Sequence, residues 1–288
     1  MMIETEYLAP RNIDQLFEGI RGRIGQVKFM AGCTNVLPSL RARAISPGLL
    51  VDLTGLEEMA HIRKVNRVIS VGALTTMTAL VSSEIIQKES PILASAARQL
   101  GNPLTRNRAT IGGNLADASP AADMAPPLLA LEATIHTAGP EGKGREIPLD
   151  RFFLGPNKTV LGEDEIITRI TIPKPEDPWK GSHIKFGLRN AMAISVASVA
   201  LMLEMKENVC RKARVALGSL SPTPIRAYLV EKELEDREIT DEVLERCTVA
   251  VNQEISPISD IRGSADYRRQ VAAVLLKRAI RQAHMGRK

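Results

Sequence analysis

The chain is 288 residues long, 44% apolar and 25% charged, with 3% aromatics and a formal net charge of +5. That length is more than one compact core uses and predicts two domains. No apolar run reaches the length of a membrane span, and scattered basic residues without aromatic platforms argue against nucleic-acid binding.

In chain order, Ile13, Leu16, Phe17 and Ile20 fall on one helical face, and the helix runs toward Gly22. VKFMA at 27–31 reads as a buried strand, GCTN as a loop, and VLPSLRAR as a helix with Pro38 in its first turn. LLVDL at 49–53 is a second strand, HIRKVNRVISVG a hairpin about Asn66, and TTMTALVSS a helix. PILASAARQL forms a helix that Gly101 terminates.

ATIGGNLADAS reads as a glycine loop, followed by a helix that Pro126 and Pro127 open. TIHTA, REIPL and EIITRITIP read as strands, and the proline-rich PKPEDPWKG at 173–181 as a domain boundary. Beyond it come a long β run, AISVASVALMLEMK, a turn at Glu207–Asn208, and CRKARVALGSL. Helices near 227–235, 240–254 and 265–285 close the chain. The last carries Lys277, Arg278 and Arg281 opposite its apolar stripe, a face that is either solvated or docks an acidic partner.

Cys33, Cys210 and Cys247 form no CxxC pair, so no four-thiolate iron–sulfur cluster is held here, and no Cys/His spacing suggests zinc. No metal ligand and no catalytic acid, base or nucleophile stands out, so redox chemistry would belong to an organic cofactor or a partner. The start, MMIETEYLAPRNI, lacks the pattern of a secretory signal, and a cytoplasmic location is expected.

Two segments suit a pyrophosphate, which needs several N–H donors and no Cβ in the way. They are AGCTN at 31–35 and TIGGN at 110–114. Neither is GxGxxG, so a Rossmann site is not supported. The plainer alternatives are a simple Gly-Gly turn and, for Asp123, an N-cap for the helix opened by Pro126.

Those segments also carry a resemblance. AGCTNVLPSLRA, RNRATIGGNLADASPAADMAPPLLALEA, FFLGPNKTVLGEDEIITRITIP, KFGLRNAMAISVASVAL and ISPISDIRGSADYRRQVAAVLLKRAI follow in order. Together they resemble the FAD-binding subunit of molybdenum hydroxylases of the xanthine dehydrogenase and carbon monoxide dehydrogenase type. The resemblance implies an α+β fold. A two-subdomain FAD-binding domain of the vanillyl-alcohol-oxidase/PCMH type would span 1–175, with subdomains about 1–55 and 56–175. A smaller C-terminal flavoprotein domain, an antiparallel sheet plus helices, would span 180–288.

It further implies an FAD pyrophosphate clamped between Ala31, Gly32, Cys33, Thr34, Asn35 and Val36 on one side and Thr110, Ile111, Gly112, Gly113 and Asn114 on the other. Backbone N–H groups of both segments would donate, with the Thr34 and Thr110 hydroxyls adding to them. Asp123 would accept from FAD hydroxyls, with Ser119 in the same loop. Ile167 would pack near the flavin ring, and Leu100 stands where relatives often carry an aromatic. Cys33 and Asn35 depart from the family's AGGTD, and Cys33 is tolerated if its φ is negative.

The implied function is electron relay within a heteromeric complex, commonly a dimer of three-subunit units. Electrons would leave a molybdenum cofactor in a large subunit, cross [2Fe–2S] clusters in a small one, and pass through FAD to NAD⁺ or another acceptor. The rivals are a free-standing FAD-dependent oxidoreductase of the same fold and a scaffold subunit that has lost FAD.

Overall fold

The computed structural model describes residues 5–23, 25–175 and 179–285. Residues 1–4, and 176–178 at the centre of the predicted boundary, lie outside the described residues.

The chain first builds a small parallel sheet in which Leu49–Asp52 lies between Glu6–Leu8 and Val27–Met30. The helix Ile13–Gly19 connects the first two, and Asn12 caps it by accepting from the Gln15 N–H. Leu16 and Ile20 are buried on its inner face, as their spacing requires.

A five-stranded antiparallel sheet follows, in the order Ile62–Val65, Val68–Gly72, Ile166–Pro173, Thr134–Ala138 and Glu146–Pro148. Its first two strands meet at Asn66, which takes φ 53° as a tight hairpin demands. Ile170 and Ile172 of the central strand are buried against short helices inserted between residues 77 and 130.

Beyond the boundary, Trp179–Phe186, Ala197–Lys206, Val209–Gly218 and Ile225–Arg226 form an antiparallel sheet, with Arg237–Glu238 pairing onto the third strand. Side chains of a strand alternate in direction, and here the two faces serve different cores. Val199, Leu201 and Leu203 pack beneath the helices Tyr228–Leu234, Asp241–Glu254 and Ala265–Met285. Ala200 and Ala216 join the N-terminal core instead, against the helix Ala125–Ala130. Small residues allow this approach: a Cβ added at Gly218 would lie 2.8 Å from Pro126 Cγ. The expected α+β class, with an antiparallel sheet plus helices at the C-terminal end, is the observed one.

Several local expectations are corrected. TIGGN is not a loop: Thr110 caps a short helix, Ile111–Ala116, whose first turn holds both glycines. The strands Glu6–Leu8 and Trp179–Phe186 and the helices Glu84–Glu89 and Pro103–Arg108 were not anticipated. The basic face of the last helix is also less free than its sequence suggests. Lys277 pairs with Glu245 at 2.5 Å and Arg281 with Asp241 at 2.7 Å, so two of its three cations clamp neighbouring helices together.

Candidate functional site

A cavity of about 920 Å³ opens between the parallel sheet, the short helices and the loop that joins the first two strands of the C-terminal sheet. Every predicted site residue except Ile111 lines it: Ala31, Gly32, Cys33, Thr34, Asn35, Val36, Leu100, Thr110, Gly112, Gly113, Asn114, Ser119, Asp123 and Ile167.

The first wall forms where the strand Val27–Met30 turns into the helix Val36–Arg41. Glycine at 32 is dictated by contact, because an added Cβ would sit 1.8 Å from the Arg108 carbonyl oxygen. The two glycine segments therefore abut at that point. Cys33 adopts φ 62°, left-handed and not the negative φ expected of a tolerated side chain. Its Sγ donates to the Ala31 carbonyl at 3.3 Å, and burial with the nearby Asp52 charge pushes the thiol up against the pull of Arg108. The N–H groups of Gly32, Cys33, Thr34, Asn35 and Val36 meet no acceptor among the described residues. Donors left unpaired in succession suit an anion.

The second wall behaves differently. The Ile111 and Gly112 N–H groups donate to Thr75 O and Ala73 O, Gly113 N–H to Thr110 Oγ1, and Asn114 N–H to Thr110 O. The expectation that residues 110–114 supply backbone donors together is thus corrected: the N–H groups of 111 and 112 are spent on Thr75 and Ala73, and those of 113 and 114 on Thr110. Ile111 itself is fully buried and belongs to the core. Gly112 packs on Ala73, whose Cβ would be 2.6 Å from an added Cβ. At Gly113, which lines the cavity, an added Cβ would crowd the Thr110 Oγ1 cap at 2.9 Å but meet no backbone.

Side chains tie these walls together. Asn35 Nδ2 donates to Asp117 Oδ2 at 2.7 Å, and Asn157 Nδ2 to the Asp117 carbonyl at 2.8 Å. Asn114 Oδ1 accepts from Met124 N–H at 3.1 Å, and Ser119 Oγ from Ala121 N–H at 3.2 Å, fixing the loop that carries Asp123. Asp123 does not cap the next helix, whose N-cap Met124 has no side-chain bond. Its Oδ2 accepts from Lys185 Nζ at 2.8 Å and its Oδ1 from Ser195 Oγ at 3.2 Å. Burial pushes the Asp123 carboxyl up, and Lys185 and Ser195 pull it back. Leu100 and Ile167 supply apolar wall.

Sequence reasoning missed the contribution of the loop between the first two strands of the C-terminal sheet. Met192, Ala193 and Ile194 line the cavity, and Met192 N–H donates to the Gly101 carbonyl. The signal was present in KFGLRNAMAISVAS, but nothing local says that Lys185 reaches a residue 62 positions away. No group of three or more His, Cys, Asp or Glu residues is placed to hold a metal among the described residues.

A cavity of this size, with unpaired N–H donors on one wall, a carboxylate on another and apolar side chains between, defines a binding protein for a large phosphate-bearing cofactor. The comparisons agree. Residues 3–175 match the FAD binding domain in molybdopterin dehydrogenase, and residues 182–283 the CO dehydrogenase flavoprotein C-terminal domain. The carbon monoxide dehydrogenase medium chain of Hydrogenophaga pseudoflava is 32% identical, with 96% of each chain covered. The glyceraldehyde dehydrogenase medium chain of Sulfolobus acidocaldarius is also 32% identical, over 97% of this chain and 98% of its own. A solved structure of the Hydrogenophaga pseudoflava enzyme superposes with a TM-score of 0.93 at 31% identity, covering 98% of both chains.

The chain belongs to this family. It is an FAD subunit of the molybdenum hydroxylases, like those of carbon monoxide dehydrogenase and xanthine dehydrogenase, and so part of an oxidoreductase. Its match to medium chains along nearly their whole length sets aside the free-standing oxidoreductase. No helix among the described residues is long and apolar enough to cross a membrane.

Proposed function

We propose that the chain holds FAD in this cavity and relays electrons from [2Fe–2S] clusters of a small partner subunit to NAD⁺ or another acceptor. A large partner subunit carries the molybdenum cofactor where substrate is oxidised, and the complex is a cytoplasmic dimer of heterotrimers. Residues 1–175 act as the FAD-binding domain, in subdomains 1–55 and 56–175, and 180–288 as the C-terminal flavoprotein domain.

The observation that carries this reading is the row of unpaired N–H groups from Gly32 to Val36, on residues that line the cavity together with Gly113. Those N–H groups bind the pyrophosphate, with Thr34 and Thr110 flanking it. Gly32 lets the two segments approach closely, and Gly113 keeps a side chain out of the pyrophosphate's path. Asp123 accepts from the cofactor's hydroxyls, and Leu100 and Ile167 exclude water from its ring system. When bound, FAD supplies the exchange between paired and single electrons that no side chain here can perform. The protein's share is binding, orientation and shielding, with no acid or base of this chain acting on the oxidised substrate.

The test is to co-express the chain with its large and small subunits and follow the visible flavin band. Bleaching by the complex's substrate, and recovery on adding NAD⁺ or another acceptor, is the expected result. A flavin that substrate cannot bleach in an intact, cluster-loaded complex would overturn the relay.

A further inference from the structure

The cavity's carboxylate is held from the other domain. Lys185 sits on the strand Trp179–Phe186 and Ser195 just before the strand Ala197–Lys206, both beyond the boundary. Between them they engage both oxygens of Asp123, at 2.8 and 3.2 Å. Lys185 Nζ also donates to the Gln99 carbonyl at 3.2 Å, next to the cavity residues Leu100 and Gly101. The pair is well enclosed, with side-chain exposures of 4% for Lys185 and 12% for Asp123.

A carboxylate this enclosed is costly to keep charged without a partner. It would also be free to rotate about its χ angles. With one cation and one hydroxyl fixed on its two oxygens, its remaining lone pairs point in set directions. Among the described residues, Lys185 and Ser195 alone engage the Asp123 carboxylate, and no N-terminal side chain does so.

We propose that Lys185 and Ser195 are positioning residues that hold Asp123 as an aligned acceptor for the cofactor's hydroxyls, so that docking of the C-terminal sheet completes the site. The inference rests on reading the cavity as the FAD site. It makes the C-terminal unit a condition of cofactor retention and not merely an attachment surface for other subunits. The same unit closes the cavity with Met192, Ala193 and Ile194, so alignment and enclosure arrive together.

The experiment is a double-mutant cycle on the full-length apo chain, read as the FAD dissociation constant by fluorescence titration, with thermal unfolding of each apo protein recorded in parallel. Lys185→Met and Asp123→Asn should each weaken FAD about tenfold or more, the scale of one charge-assisted hydrogen bond. Because Lys185 acts through Asp123, the doubly substituted protein should bind no more weakly than Asp123→Asn alone. Ser195→Ala, which leaves the ion pair intact, should weaken FAD about threefold, as one neutral hydrogen bond does. That loss should vanish in the Asp123→Asn background.

Effects of Lys185→Met and Asp123→Asn that multiply would overturn the inference while leaving the FAD site standing, since Lys185 would then act on the cofactor independently. An unchanged dissociation constant in Lys185→Met and Ser195→Ala would overturn it as well. Should Lys185→Met fail to fold, Ser195→Ala and the doubly substituted protein, which buries no unpaired charge, carry the same decision. Failure of the unaltered chain to bind FAD, alone and within its complex, would instead remove the cavity assignment and this inference with it.

Discussion

Two glycine-bearing segments wall the same cavity, yet residues 31–36 and 110–114 are built in opposite ways. In the first, the N–H groups from Gly32 to Val36 are left without protein acceptors. In the second, those of 111–114 are spent on Thr75, Ala73 and the Thr110 cap. The three glycines differ accordingly. Gly32 permits contact with Arg108, Gly112 permits packing on Ala73, and Gly113 alone of the three meets no backbone, only the Thr110 cap oxygen. Glycine in a binding segment can therefore expose a donor, bring two backbones together, or keep a volume clear. Only the surrounding hydrogen bonds reveal which.

The comparison breaks most visibly at the shared contact. Gly32→Ala drives a Cβ into backbone at 1.8 Å, where no side chain can yield. We expect destabilisation of about 1–3 kcal/mol or more by overpacking, with FAD uptake abolished because both walls move. Thermal unfolding and flavin content measure the two effects. Gly113→Val sharpens the contrast. Its apo stability should fall by about 1 kcal/mol, because the new Cβ crowds the Thr110 cap oxygen, while FAD occupancy falls far more steeply. Equal losses of stability and occupancy in Gly113→Val would deny that this glycine serves clearance.

Smaller effects probe the first segment alone. Asn35→Asp would set a carboxylate against Asp117 in place of the amide that now donates at 2.7 Å. Like-charge repulsion at about 4 Å is worth about 1 kcal/mol in bulk water and about 4 kcal/mol near a surface, so thermal unfolding of the apo protein should show a loss of about 1 kcal/mol or more that added salt relieves. Cys33→Gly removes a side chain from a left-handed residue and should stabilise the apo chain by about 1 kcal/mol, with FAD binding retained. A lower unfolding temperature for this variant would show that the Cys33 side chain contributes more than its backbone conformation costs.

The smallest effect is a pH dependence behind that segment. Burial pushes the Asp52 carboxyl up, but hydrogen bonds from Thr54 and Tyr7 and the Arg108 charge outweigh it and leave the group below its usual 3.8. A carboxyl depressed on folding stabilises the fold above its unfolded value and loses that contribution as pH falls through the folded one. Unfolding measured below pH 3.8 should therefore show a dependence that Asp52→Asn flattens.

Much of this was legible in the sequence because it is local. Alternation in EIITRITIP and the spacing of Leu16 and Ile20 impose strand and helix directly. The short helix Ile111–Ala116 was hidden by its Gly-Gly, since glycine disfavours a helix interior but not a first turn capped by Thr110. Ile111 was grouped with its glycine neighbours, although an aliphatic residue at that position points into the core. The strand Trp179–Phe186 was masked by the prolines before it. Asp123 could be singled out from its motif, but its partners Lys185 and Ser195 come from another sheet and only the fold brings them together.

The central claim is that these unequal walls hold FAD, and the purified full-length chain tests it most directly. Its visible absorption spectrum, followed by release and identification of the flavin, should show non-covalent FAD near one per chain. A colourless protein that takes up no added FAD, alone or co-expressed with its partner subunits, would contradict the claim and leave the chain a scaffold.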